Sequence, residues 1–227
     1  FLKEEDTGWL DQPKVQLQVR YPNEKFIERR EDEWPLPRTQ WTKYYLNPVG
    51  LDLGEKPPNE NCSVTYGGFS DGVTFLTKPI EQETEITGPI AAKLWISSTT
   101  VDADLFAVVR VFAPDMKEVC FQGALDPHTP ISQGWLRASH RKLDEALSLP
   151  YRPYHAHDEK QPLTPGEVYE VDIEIWPTCL VVPTGFRLAL TVRGRDYEYP
   201  GGAGEGVGVL GRVFTGVGPF RHDDPRD

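Results

Sequence analysis

The chain has 227 residues with a formal charge of −11, and 38% of its residues are hydrophobic. That length and composition suit a globular domain that buries its own core, and they exclude a disordered segment. The acidic balance repels a phosphate backbone, so short of a basic patch formed by the fold no nucleic acid is expected, and the longest apolar run, "ADLFAVVRVFA", is too short and too charged to span a bilayer.

The first residues, Phe1 to Asp11, read as the end of a helix with Gly8 as its stop. From Pro13 onward the pattern alternates with period two, the mark of strands with one face on a core and one on water. In "VQLQVR" Val15, Leu17 and Val19 share a face. Further strands are predicted at 41–46, 73–77, 90–97, 104–113 and 118–123. Turn clusters such as "EKPPNEN", "APDMK" and "TPGE" separate them. Lys142 to Leu147 is the one convincing helical candidate. In "EVYEVDIEIW" Tyr169, Val171, Ile173 and Ile175 line one face, and in "GFRLALTV" Phe186, Leu188, Leu190 and Val192 do so. Strands at this spacing, without alternating helices, predict an all-β fold, a β-sandwich of jelly-roll type. The Gly-rich end, "PGGAGEGVGVLGR", lacks the features of a phosphate-binding loop and reads as a loop only.

Several stretches imitate active sites. "GFSDG", residues 68–72, fits the G-x-S-x-G elbow of serine hydrolases, but a working elbow turns from a strand into a helix. Here Val73-Thr74-Phe75-Leu76 follows, a poor helix, and Asp71-Gly72 is a favoured turn pair, so Ser70 is expected in a hairpin turn. In "GWLRASHRKL" Ser139 and His140 are neighbours on an extended segment, so they point apart and cannot form a nucleophile–base pair. Period two groups Trp135, Arg137, Ser139 and Arg141 on one side, an edge suited to capturing carboxylates from adjacent segments. His155, His157 and Asp158 have metal-ligand chemistry, but they lie in a proline-rich loop without a fourth ligand, and no metal or other cofactor is expected. Trp34, Trp41, Trp95, Trp135 and Trp176 suit a sugar-stacking platform, though most lie in strand patterns where core packing is the ordinary explanation. Cys62, Cys120 and Cys179 are odd in number and read as buried reduced thiols.

In this order, the segments "FLKEEDTGWLDQPKVQLQV", "DEWPLPRTQWTKYYL", "DGVTFLTKPIEQETEITGPIAAKLWISSTTVDADLFAVVRVFAPD", "GWLRASHRKL", "PLTPGEVYEVDIEIWPT" and "PTGFRLALTVRG" span nearly the whole chain. Together the series resembles the C-terminal non-catalytic domain of the X-Pro dipeptidyl-peptidase and CocE/NonD (cocaine-esterase-like) acyl hydrolases. The resemblance implies a jelly roll of the galactose-binding-like type over residues 13–227, with 1–12 as the tail of a preceding domain. It implies an N-terminal α/β-hydrolase domain in the same polypeptide, which carries the Ser-Asp-His triad and whose substrate pocket the loops of this domain help to wall. No catalytic residue is expected here, and Gly134, Trp135, Leu136, Arg137, Ser139 and Arg141 form its structural motif. The sole methionine is Met116 and no leader is visible, which reads as part of a longer, cytoplasmic protein. The family's usual terminal strand is not found before Asp227, and an open sheet edge there would favour pairing with a second copy.

Overall fold

The computed structural model describes residues 5–123, 128–197 and 199. Among the described residues ten strands form two mixed sheets packed face to face: β1 (Val15–Tyr21), β2 (Lys25–Glu31), β3 (Tyr45–Asn47), β4 (Asp52–Gly54), β5 (Val73–Leu76), β6 (Thr84–Ile96), β7 (Asp104–Phe112), β8 (Ser132–Arg137), β9 (Tyr169–Val182) and β10 (Arg187–Arg193). One sheet runs β2-β1-β9-β6 and the other β3-β4-β5-β10-β7-β8. The all-β sandwich expected from alternation is therefore the architecture observed.

The core forms where the alternating residues of both sheets meet. Ala92 and Leu94 of β6 and Val171, Ile173 and Ile175 of β9 pack against Leu105, Ala107, Val109 and Val111 of β7, Leu136 of β8 and Val192 of β10. Ile173 and Ile175 are almost fully buried, each stabilising the fold by about 1.5–3 kcal/mol through area removed from water.

Two features of the ladders prepare the functional surface. Gly88 pairs with Thr178 but Ile90 pairs with Ile175, so Trp176 and Pro177 of β9 face only Pro89 across the ladder. Neither proline has an N–H to donate, and the pairing yields to a bulge at this point. On its other side β9 meets β1 in parallel at Arg20↔Leu180. Nearer its start, β9 is approached by β8 from the opposite sheet. Gly134 comes so close that an added Cβ would lie 2.8 Å from the carbonyl carbon of Glu174 and 2.9 Å from Cα of Ile175. The Ser132 hydroxyl closes this seam by donating to the Trp176 carbonyl, which the bulge leaves outside the ladder.

Some local expectations are overturned. Trp9–Asp11 is a single 3-10 turn that Gly8 precedes in a left-handed conformation (φ 66°), so Gly8 opens the turn instead of ending a helix. Lys142 to Leu147 forms no helix: the Asp144 carboxylate accepts from the N–H groups of Ala146 and Leu147, and one turn closes at Ser148 before Pro150. The predicted strand at 41–46 shrinks to β3, and 118–123 makes only isolated bridges, Phe112↔Glu118 and Phe121↔Thr129. The Gly-rich stretch from Pro200 lies outside the described residues.

Candidate functional site

Ser70 sits in an exposed turn leading into β5. Its hydroxyl donates to the Gly67 carbonyl (2.7 Å) and accepts from the Gly72 N–H (3.2 Å), so its proton rests on a carbonyl and not on a base. No helix follows, so the strand-turn-helix context of an elbow is missing. The turn is not a hairpin either, because β5 runs parallel to the preceding strand, β4. Gly72 has φ 72°, and a Cβ there would press on the backbone of Val192 and Arg193, so the chain crosses β10 at a point only glycine fits. Asp71 completes the clasp through Arg193 (3.1 Å) and Arg195 (2.6 Å), whose side-chain hydrogen bond holds its carboxyl below the usual range.

The Gly134–Leu143 motif is a structural clasp. Arg137 grips Asp104 with two parallel bonds, Nε to Oδ1 at 2.7 Å and Nη2 to Oδ2 at 3.0 Å. The strand ends there, and a 3-10 turn, Ala138–His140, swings Ser139 inward instead of continuing the exposed face of Trp135 and Arg137. Both the N–H and the hydroxyl of Ser139 donate to Asp102, at 2.9 and 2.7 Å. Arg141 meets carbonyls in place of the anticipated carboxylate: it donates to Ala138 and Gln161 and lies 4.5 Å above the Tyr169 ring. Leu136 is in the core, while Trp135 faces solvent. The motif thus ties the start of β7 to the long loop between β8 and β9. It leaves no Ser–His pair.

The loop histidines gather with one that sequence spacing did not connect to them. His157 Nδ1 lies 3.4 Å from His140 Nδ1, and His155 Nε2 donates to the Asp172 carbonyl at 3.0 Å. Burial, outweighing that hydrogen bond, pushes the His155 imidazole below its ordinary range. Asp158 is bound to Lys142 (2.9 Å), and among the described residues no group of three or more His, Cys, Asp or Glu is placed to hold a metal ion. The three cysteines are free thiols, half-buried rather than buried.

The tryptophans reverse the expectation of core packing. All five are exposed, Trp95 to 65%, Trp176 to 60% and Trp135 to 37%. Trp41 stacks on Tyr151 with ring centroids 4.3 Å apart. Trp135 and Trp176 meet across the β8–β9 seam, centroids 5.3 Å apart and tilted by 53°. Beside them opens a cleft of about 450 Å³ between β1, β8 and β9, lined by Leu17, Arg20, Trp34, Ile131 and Trp176 among others. Arg20 braces its floor, donating to the Ile131 carbonyl (3.0 Å) and to Thr178 Oγ1 (2.5 Å). Sequence reasoning named Trp34 and Trp176 but missed the cleft.

The chain is a two-sheet β-sandwich whose two candidate serines are engaged by a carbonyl and a carboxylate. Within that class its family is defined by residues 7–203, which match the X-Pro dipeptidyl-peptidase C-terminal non-catalytic domain: the chain belongs to that family. Over 88% of its length it superposes on a CocE/NonD family hydrolase from Staphylococcus aureus with a TM-score of 0.81 and 30% identity, covering 38% of that chain. It is 23% identical to the cocaine esterase of a Rhodococcus species in an alignment that covers 88% of this chain and 37% of the esterase. An aminopeptidase from a marine-sediment thaumarchaeon shares the fold at a TM-score of 0.56 and 19% identity, over 82% of this chain and 34% of its own. The chain therefore spans less than two fifths of the length of these relatives. No helix among the described residues is long and apolar enough to cross a membrane.

Proposed function

We propose that this chain is the accessory C-terminal β domain, of jelly-roll and galactose-binding-like type, of a serine acyl hydrolase. It stabilises an N-terminal α/β-hydrolase domain of the same polypeptide and walls part of its substrate pocket. The reaction served is acyl transfer to water, with serine attack on an ester or amide and hydrolysis of the acyl-enzyme, carried out wholly by the other domain. The observation that carries this reading is the match of residues 7–203 to a non-catalytic C-terminal domain, joined to a Ser70 hydroxyl that donates to a carbonyl.

The purified chain is expected neither to hydrolyse a p-nitrophenyl ester nor to react with a serine-directed phosphonate, whereas the full-length polypeptide is labelled at a serine outside this domain. Phosphonate on Ser70 would overturn the reading. Exposure of the tryptophans favours a second reading, a carbohydrate-binding module. Retention of the chain on polysaccharide affinity gels would support that reading, and free passage would count against it.

A further inference from the structure

We propose that the cleft between β1, β8 and β9, with Trp34, Trp135 and Trp176 around it, is the face on which the catalytic domain of the same polypeptide sits. The inference rests on the accessory-domain reading and adds which surface does the work. Exposed apolar side chains scattered singly need no explanation, but a contiguous group rimmed by polar residues marks an interaction site. Here Trp135 and Trp176 touch each other, and Trp176 and Trp34 line one cleft.

The position of the incoming chain points to the occupant. Leu17 lines the cleft and β1 begins at Val15, so the segment before β1 arrives within about 7 Å of the cleft wall at strand spacing. Trp9 and Leu10 on that segment are themselves exposed, 68% and 86%. A domain attached through this segment is delivered to the cleft without a long linker. In the relatives most of the polypeptide lies outside the matched region.

The chemistry of the lining favours a protein surface over a sugar. In a chain of charge −11, the cleft lining contains one cation, Arg20, and no carboxylate. Arg20 Nη2 already donates to Ile131 and Thr178 and the Ser132 hydroxyl to Trp176, so part of the polar lining is spent within the wall itself. Two indoles tilted by 53° suit interdigitation with apolar side chains more than a flat pyranose platform. The bulge at Pro177 and the Gly134 contact fix the backbone on which the indoles stand.

Hydroxyl-radical footprinting of the full-length polypeptide, read by mass spectrometry, tests this with an internal reference. Trp95 of β6 pairs with Glu170, six residues along β9 from Trp176 and so roughly 20 Å away, and has nearly the same exposure. Trp176 is expected to oxidise at least about threefold more slowly than Trp95, with Trp34 and Trp135 protected alongside it, because interface cores exclude water. Oxidation of Trp176 at a rate like that of Trp95 overturns the proposal. So does protection that vanishes on dilution, which would indicate a second copy, or protection that appears only with added oligosaccharide. Phosphonate labelling of the same sample separates the two ideas. A labelled serine with unprotected tryptophans removes the docking face but leaves the hydrolase reading, and protected tryptophans without a labelled serine do the reverse.

Discussion

Replacing Gly134 by alanine tests how the sandwich is closed along one side. The new Cβ would lie 2.8 Å from the carbonyl carbon of Glu174 and nearer still to its oxygen, and both belong to backbone that cannot rotate aside. Strands β8 and β9 must part by roughly 1 Å to regain van der Waals separation. Strain of this kind costs about 1–3 kcal/mol. Parting also stretches the hydrogen bond from Ser132 to the Trp176 carbonyl, a loss of about 1 kcal/mol. A total near 2–4 kcal/mol lowers the melting temperature of a domain this size by roughly 5–15 °C. The assay is thermal unfolding by far-ultraviolet circular dichroism, with near-ultraviolet spectra reporting the Trp135–Trp176 pair across the seam. A G134A protein that melts within about 2 °C of the parent, with unchanged near-ultraviolet bands, would refute the claim that β8 bears directly on β9.

Arg110→Met leaves the carboxylate of Glu118, 4% exposed and held at 2.9 and 2.5 Å by that guanidinium, without its charge partner; urea unfolding should show a loss of about 3–5 kcal/mol. Ser139→Ala removes one of three donors to the Asp102 carboxylate and should cost about 1–2 kcal/mol in the same assay, with no change in any hydrolytic activity of the full-length polypeptide. Burial holds His155 below its ordinary value, so the unfolded chain binds the proton first: the stability contributed is fully present above about pH 6.5 and is lost as the pH falls through the lower folded-state value. His140, His157 and Asp172 face the same ring, so the comparison with a His155 variant is what assigns the slope. Melting temperature should therefore fall between pH 6.5 and 5, and His155→Gln should flatten that slope; a parallel slope in the variant would show that His155 is not its source.

The strands legible in the sequence are those with one wet face and the apolar run of β7, which is buried on both faces. β1, β9 and β10 alternate in hydrophobicity and lie where alternation puts them, whereas β6 begins at Thr84, six residues before the expected 90–97. β2 escaped because it is a solvent-washed edge: "KFIERRE" buries nothing fully, so its side chains carry no period, and only its pairing with β1 makes it a strand. The Lys142–Leu147 segment misled for the opposite reason. Asp144 is a true capping residue, but the turn it starts ends within four residues, as Pro150 and the Leu149↔Arg152 bridge take the backbone elsewhere. The tryptophans were misplaced by weighing residue type above position. Trp95 follows Leu94, Trp176 follows Ile175 and Trp135 precedes Leu136, all inward residues, so period two alone turns each of these indoles outward.

What no local pattern contains is the seam. The closeness of Gly134 to Glu174 joins residues forty positions apart, on strands that belong to different sheets. The bulge that frees the Trp176 carbonyl depends on Pro89 facing Pro177 across a ladder whose register is itself nonlocal. These contacts turn a glycine, two prolines and a serine, each ordinary in sequence, into the device that brings two indoles together beside the cleft. The same logic accounts for the hydrogen bonds of the motif. Arg137, Ser139 and Arg141 spend their donors on Asp104, Asp102 and backbone carbonyls, fixing the geometry around β8 so that its outward face, with Trp135, is held rigid. A domain that acts by presenting a rigid face needs its polar residues satisfied within itself and its large apolar residues left outside, and β8 and β9 have that distribution.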